Sequence, residues 1–255
     1  MTNAKDEFED SRLRLQWANE DFADFERCAR IYFKRTPCGH IVEPDPDGIH
    51  ERHKFKLGKP FPSSLTKHTV HTIEDLRAAL EMTAVAVARL AHLPTDGVHF
   101  PFCKTAGDFK SRIGACCKGF PEEITRLFDS FEPYERENNL LFAINELCNA
   151  SKHRLIIPVA SKAGVNIPYI ESSSVTRPIT IFEGVHDTAE NEITYAITEQ
   201  GLKWKHHVQL HFGIAFGKVG ALHGYEVRLN IAEMIRAASV IVDTTEAECR
   251  KLGLL

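Results

Sequence analysis

Apolar residues recur at helical spacing along the first part of the chain. From about Asp10 to Phe33 they are Leu13, Trp17, Phe22, Phe25, Cys28 or Ala29 and Tyr32, with charges between them. This predicts an amphipathic helix that stops before Thr36-Pro37. The pattern then changes. His40-Ile41-Val42, the turn Asp45-Pro46-Asp47-Gly48 and a partly alternating run to Leu57 predict a β-hairpin at about residues 38–58, closed by Pro60 and Pro62. Ile73, Leu76, Leu80, Val87 and Leu90 mark a second helix from Thr72 to Leu93, with Thr72 and Asp75 as a weak capping box and Pro94 as its stop. His99-Phe100-Pro101-Phe102 reads as extended. Short helices are predicted at Pro121–Phe131 and from Asn139 to about His153.

Beyond His153 the period shortens. Leu155–Ala160, Ile179–Phe182, Glu192–Thr198 and His206–Phe216 read as strands, the last with Val208, Leu210, Phe212, Ile214 and Phe216 alternating against polar residues and Gly213. The stretch Gly164–Arg177, with three serines in a row, reads as the soft spot of the chain. A long amphipathic helix runs from Leu229 to about Leu252. The expected fold is therefore a single α+β domain over residues 1–255. Its helices pack on an antiparallel sheet formed mainly by the C-terminal half, with the last helix returning across that sheet. Residues 1–153 form the helical part with its hairpin, and 154–255 the sheet and closing helix.

Composition narrows the options. Lys and Arg number 31 against 35 Asp and Glu, a formal net charge of −4, which excludes a generally basic nucleic-acid coat. Sixteen Phe against five Tyr and two Trp place most of the aromatic surface in the core. Seven cysteines without a CxxC argue against a disulfide framework or structural zinc, and adjacent Cys116 and Cys117 do not pair readily. No basic start followed by an apolar run is present, and Met82–Leu93 is too short to span a bilayer. The expectation is a cytoplasmic protein with no membrane contact.

Most motifs of catalysis are missing. Gly213–Lys218 has too few residues between its glycines for a phosphate loop and no Ser or Thr after the lysine. There is no GxSxG and no HExxH. Glu122 and Glu123 suit the start of a helix without any catalytic role. His50 and His53, His68 and His71, and Cys38 with His40 are near in sequence, but no four-ligand pattern emerges. His50 and His53 fall on opposite faces of a strand. The histidines, His207 and His211 included, are read as surface residues, and no metal or cofactor is expected. The distinctive stretch is Asn145 to Arg154. On a helix, Asn145, Asn149, Lys152 and His153 share one face. Amide donors, a cation and an imidazole in one stripe suit an anion, and Arg77, Lys152, His153 and Arg154 are the only cations expected at such a site. The same stripe equally suits a helix end whose polar groups only satisfy backbone and dipole.

Four segments in order carry a resemblance: Thr72–Met82, Phe100-Pro101-Phe102, Phe131-Glu132-Pro133-Tyr134 and Leu147–Arg154. Together they resemble a widespread family of uncharacterised bacterial proteins with an LHNLRSALDH-like helix, an FPI strand, a QPY turn and an LxNxxKHR helix end. The resemblance covers most of the chain but implies little about activity. More distantly, that family's Arg-x4-His pattern is similar to the motif of HEPN domains, many of them metal-independent RNases of toxin and phage-defence systems. This chain keeps Arg77 but has Met82 where the histidine stands, and methionine carries no proton to transfer. The resemblance thus implies a non-catalytic binding or regulatory protein acting through protein or RNA contacts, in a defence or regulatory setting. No cofactor is expected, and the long amphipathic C-terminal helix suits either its own sheet or a homodimer. Two alternatives remain open: an RNase using Arg77 and His153, or a sensor of an anionic small ligand at Arg77, Asn145, Asn149, Lys152, His153 and Arg154. If they form one site, Arg77 and the Asn149 stripe must lie together.

Overall fold

A computed structural model describes residues 6–36, 38–135, 137–151, 158–160, 164–172, 180–187, 192–202, 204–211, 213–217, 222 and 224–255. Its helices are α1 (Glu9–Arg35), α2 (Ser63–Leu90), α3 (Ala106–Cys116), α4 (Glu122–Ser130), α5 (Asn139–Ser151) and α6 (Val227–Lys251). Its strands are β1 (Cys38–Pro44), β2 (His50–Leu57), β3 (Pro158–Ala160), β4 (Gly164–Ser172), β5 (Thr180–Asp187), β6 (Glu192–Glu199), β7 (Trp204–His211) and β8 (Ile214–Phe216). The fold is α+β. Among the described residues all strand pairs are antiparallel, and β3 to β8 lie in the C-terminal half. Among the described residues no helix is long and apolar enough to cross a membrane.

The helices pack chiefly on one another. α2 lies along α1 and also meets α5 and α6. Its inward side is broad: Leu65, Thr69, Thr72, Ile73, Leu76, Ala79, Leu80, Thr83, Ala84 and Val87 are all inaccessible. Small residues let the helices approach, and where α1 crosses α2 the hydroxyls of Ser11 and Thr83 lie 3.2 Å apart. Arg14 of α1 also closes a 2.6 Å ion pair with Asp75 of α2. α6 turns Ile231, Met234, Ile235, Ala238, Ile241 and Val242 inward against the same cluster.

Several expectations need correction. The second helix starts at Ser63, directly after Pro62, and not at Thr72. Burial of Leu65 and Thr69 extends the inward face by two turns. Thr72 sits inside the helix with its hydroxyl on the His68 carbonyl, so it caps nothing, and Asp75 pairs with Arg14 instead. The segment His99–Phe102 is irregular and forms no strand. α3 was not expected; Thr105 caps it by accepting from the Asp108 amide. The supposed soft spot contains β4, which pairs with β7, while residues 173–177 lie outside the described residues. The single run His206–Phe216 is two strands in different sheets, with β8 paired to β3. The last helix packs mainly on helices and touches the strands through β8.

The hairpin at 38–58 is present in register, from Cys38 opposite Leu57 to Pro44 opposite Glu51. Gly48 takes the left-handed conformation that the turn requires, with φ of 72°. β2 then pairs with β6, giving the order β1-β2-β6-β5. The hairpin thus joins a strand from the far end of the chain. The expectation of surface histidines fails here. His53 is 3% exposed and its Nε2 lies 3.0 Å from the Thr198 hydroxyl. His40 stacks on it, and burial pushes His40 below its usual range.

Leu76→Ala should lower the unfolding free energy by about 2–5 kcal/mol in urea titration, against about 0.5 or less for the exposed Val240→Ala. At the hairpin tip, hydrogen bonds from His50 and two backbone amides hold Asp47 down to about 2, and the same contact raises His50. The Asp47 contribution is present above about 3.8 and fades toward pH 2. The His50 contribution is present below about 6.5 and fades as pH rises through its raised value. Amide exchange at Gly48 and His50 should therefore be slowest, relative to Asp47→Asn, between about pH 4 and 6.5.

Candidate functional site

Arg77 and Glu81 stand one turn apart on α2, so both side chains leave the same flank of the helix. That flank faces the seam between α2 and α5. Across it, Arg77 Nη1 donates to Asn149 Oδ1 at 2.9 Å and lies 3.7 Å from Cys148 Sγ. Asn149 Nδ2 reaches back to Asn145 Oδ1 at 3.4 Å, the i to i+4 contact that the spacing predicts. Next to this pair, Ser151 donates to Glu74 at 3.1 Å, a second polar link between the two helices.

On the other side, Glu81 organises the segment before α3. Its Oε2 accepts from the Phe100 amide at 2.9 Å and lies 3.2 Å from His99 Nδ1, while its Oε1 is 3.6 Å from Arg77 Nη2. Phe100 is fully buried and packs at a tilt against Phe102 and Phe128, which fixes the strap on which His99 sits. The side chains of Arg77 and Glu81 are each 23% exposed and that of His99 is 56% exposed. Arg77 Nε is enclosed and has no hydrogen-bond partner.

Arg77, Asn145 and Asn149 therefore meet at one place. Lys152, His153 and Arg154 lie outside the described residues. Two members of the site were missed in the sequence. Glu81 was legible, being one turn from Arg77. His99 was not, because only the return of the chain after α2 brings it to Glu81. The other histidine pairs go elsewhere. His68 and His71 both face Asp21 of α1, with His68 Nδ1 at 2.6 Å, and His50 serves the hairpin turn. His207 and His211 fall on β7. Among the described residues no three His, Cys, Asp or Glu side chains are grouped so as to hold a metal ion.

Chemically, the arrangement holds one guanidinium in place from the amide side and leaves a carboxylate to orient an imidazole. A fixed arginine binds a phosphate or carboxylate oxygen with less entropy loss than a free one. A carboxylate on Nδ1 sets the tautomer so that Nε2 faces outward. The nearby carboxylate also restrains the local positive charge, so an anion here needs Arg77 as its direct partner.

Asn149→Ala should cost about 0.5–1.5 kcal/mol in urea unfolding, because Asn149 is exposed and its bond to Arg77 is a single hydrogen bond. Arg77→Lys should cost a similar amount, since a lysine lacks the planar fork that reaches both Asn149 and Glu81. Compared with models of known protein families, with curated proteins and with solved structures, the chain matches none.

Proposed function

We propose that this chain is a non-catalytic binding or regulatory protein that engages the phosphate backbone of RNA through Arg77. One observation carries the reading. The Arg77 guanidinium is pre-positioned by Asn149 at the edge of the α2–α5 seam, with Asn145 behind it. Arginine held in this way is suited to a phosphate oxygen. With a net charge of −4, any such contact is confined to a local patch, so binding is selective for what fits there. The residue five positions after Arg77 is Met82, which supports binding without cleavage. In this reading the protein works in the cytoplasm, in a defence or regulatory setting, as a monomer or homodimer.

A second reading has its own support. His99 stands beside Glu81, next to the position where the sequence lacks an imidazole. An oriented imidazole near a guanidinium has the parts for general acid–base attack on a phosphodiester. RNA cleavage with His99 as the proton carrier is thus the alternative, in place of the His153 assignment. A sensor of a small phosphorylated ligand at Arg77 is the third option.

The test is fluorescence anisotropy with a short labelled single-stranded RNA of mixed sequence, run with magnesium and with chelator. Binding with the RNA intact is expected, weakened at least about tenfold in Arg77→Ala, equivalent to ~1.4 kcal/mol. Cleavage abolished by His99→Ala would install the second reading. Absence of RNA binding, with a raised melting temperature in phosphorylated metabolites, would install the third.

A further inference from the structure

The C-terminus of α3 presents two thiols to each other. Cys116 is the last residue of the helix and Cys117 its C-cap. Their sulfurs are 3.8 Å apart, and both residues are buried, at 3% and 2% exposure. Each thiol also has a backbone partner. Cys116 Sγ donates to the Arg112 carbonyl at 3.0 Å, and Cys117 Sγ to the His99 carbonyl at 3.6 Å. The His99 amide in turn donates to the Cys116 carbonyl at 3.3 Å. The two cysteines therefore hold the same strap that Glu81 holds from the opposite side through His99 and Phe100.

We propose that Cys116 and Cys117 are a peroxide-sensitive pair whose vicinal disulfide repositions the His99–Phe100 strap. In the first step the Cys116 sulfur attacks a peroxide oxygen. The O–O bond breaks, Cys116 becomes a sulfenic acid, and water leaves when the oxidant is hydrogen peroxide. In the second step the Cys117 sulfur attacks that sulfenic sulfur. The S–S bond forms and the hydroxyl departs as a second water, carrying the Cys117 proton. Two thiols and one hydrogen peroxide become one disulfide and two waters.

The assignment of roles follows the surroundings. When Cys116 ionises, the S–H of Cys117 can turn from the His99 carbonyl to the Cys116 sulfur; that bond, aided by the Arg112 charge, pushes the Cys116 thiol down, whereas the same bond and burial push Cys117 up. Cys116 is thus the attacking sulfur and Cys117 the resolving one. Access comes through α3 itself. Only Phe109 and Cys116 of that helix are buried, so its local opening frees few apolar contacts. Adjacent Cα atoms are about 3.8 Å apart, closer than the usual disulfide span, which strains the bond and keeps it easily reduced. Such a bond suits a reversible switch more than a permanent staple. When it forms, Cys117 loses the S–H that bonds His99, and one of the strap's two ties to α3 is gone.

The experiment treats full-length protein with hydrogen peroxide, alkylates it unfolded, and digests it with trypsin. Cleavage after Arg112 and Lys118 isolates Ile113–Lys118, which holds both thiols and no others. That peptide should appear about 2 Da below its dithiol form, for the two hydrogens lost, and take up alkyl groups only after dithiothreitol. Cys117→Ser should instead leave a sulfenic acid at Cys116 that dimedone traps. Recovery of the peptide with two alkyl groups, or of Cys116 linked to Cys103, would overturn the pair. The His99 and Phe100 amide resonances should shift on oxidation of the wild type and not of Cys117→Ser; unmoved resonances in the oxidised protein would overturn the coupling. The consequence for RNA rests on the reading above, and predicts an affinity about tenfold weaker in the oxidised protein. Oxidation and shifted resonances in a protein that binds no RNA would support the switch while ending that reading.

Discussion

Burial of α2 against α1, α5 and α6 is the constraint on which the rest of this molecule depends. A helix in that position cannot carry polar side chains at will, because each one taken from water needs a partner. Its threonines meet the demand locally: Thr69, Thr72 and Thr83 each return their hydroxyl to the carbonyl one turn back. Its charged residues must reach outward. Asp75 finds Arg14 on α1, Glu74 finds Ser151 on α5, and Arg77 finds Asn149 on α5. The polar map of the helical cluster is thus a consequence of where α2 cannot be apolar.

Glu81 turns this constraint into a site. A carboxylate with one oxygen toward Arg77 and the other on a histidine ring and a backbone amide is tied on two sides. The strap it holds is anchored by Phe100 in an aromatic cluster with Phe102 and Phe128. Rigidity therefore comes from the apolar ring packing, and direction comes from the carboxylate. α3 adds a third attachment, through the Cys117 thiol on the His99 carbonyl and the His99 amide on the Cys116 carbonyl. Guanidinium, imidazole and dithiol are joined through one short segment of chain.

Much of the fold was legible because periodicity is a local property. α1, α4, α5 and α6 were found within a few residues, and the hairpin turn at Asp45–Gly48 was found from its residue chemistry. The failures have physical causes. Ser63–His71 mixes threonines and histidines, and its helical conformation is secured by burial against α1 more than by propensity. α3 has only a narrow inward stripe, so its pattern is faint. His206–Phe216 alternates without a break, yet the described strands divide between two sheets, because pairing partners and not alternation decide where a strand ends. In the site, the Asn145–Asn149 spacing and the i to i+4 relation of Arg77 and Glu81 were readable, while His99 was not.

Residue order alone, then, is enough to establish the α+β class, the main helices, the hairpin and the polar stripe on α5, since each rests on neighbours within a turn or two of the chain. It cannot say that β2 pairs with β6, that Asn149 receives Arg77, or that His99 returns to Glu81. Those meetings join residues separated by long stretches of sequence. They arise from the burial of apolar faces, which is non-directional and leaves no local mark, and they are made specific only when each buried polar group finds its partner in the packed structure.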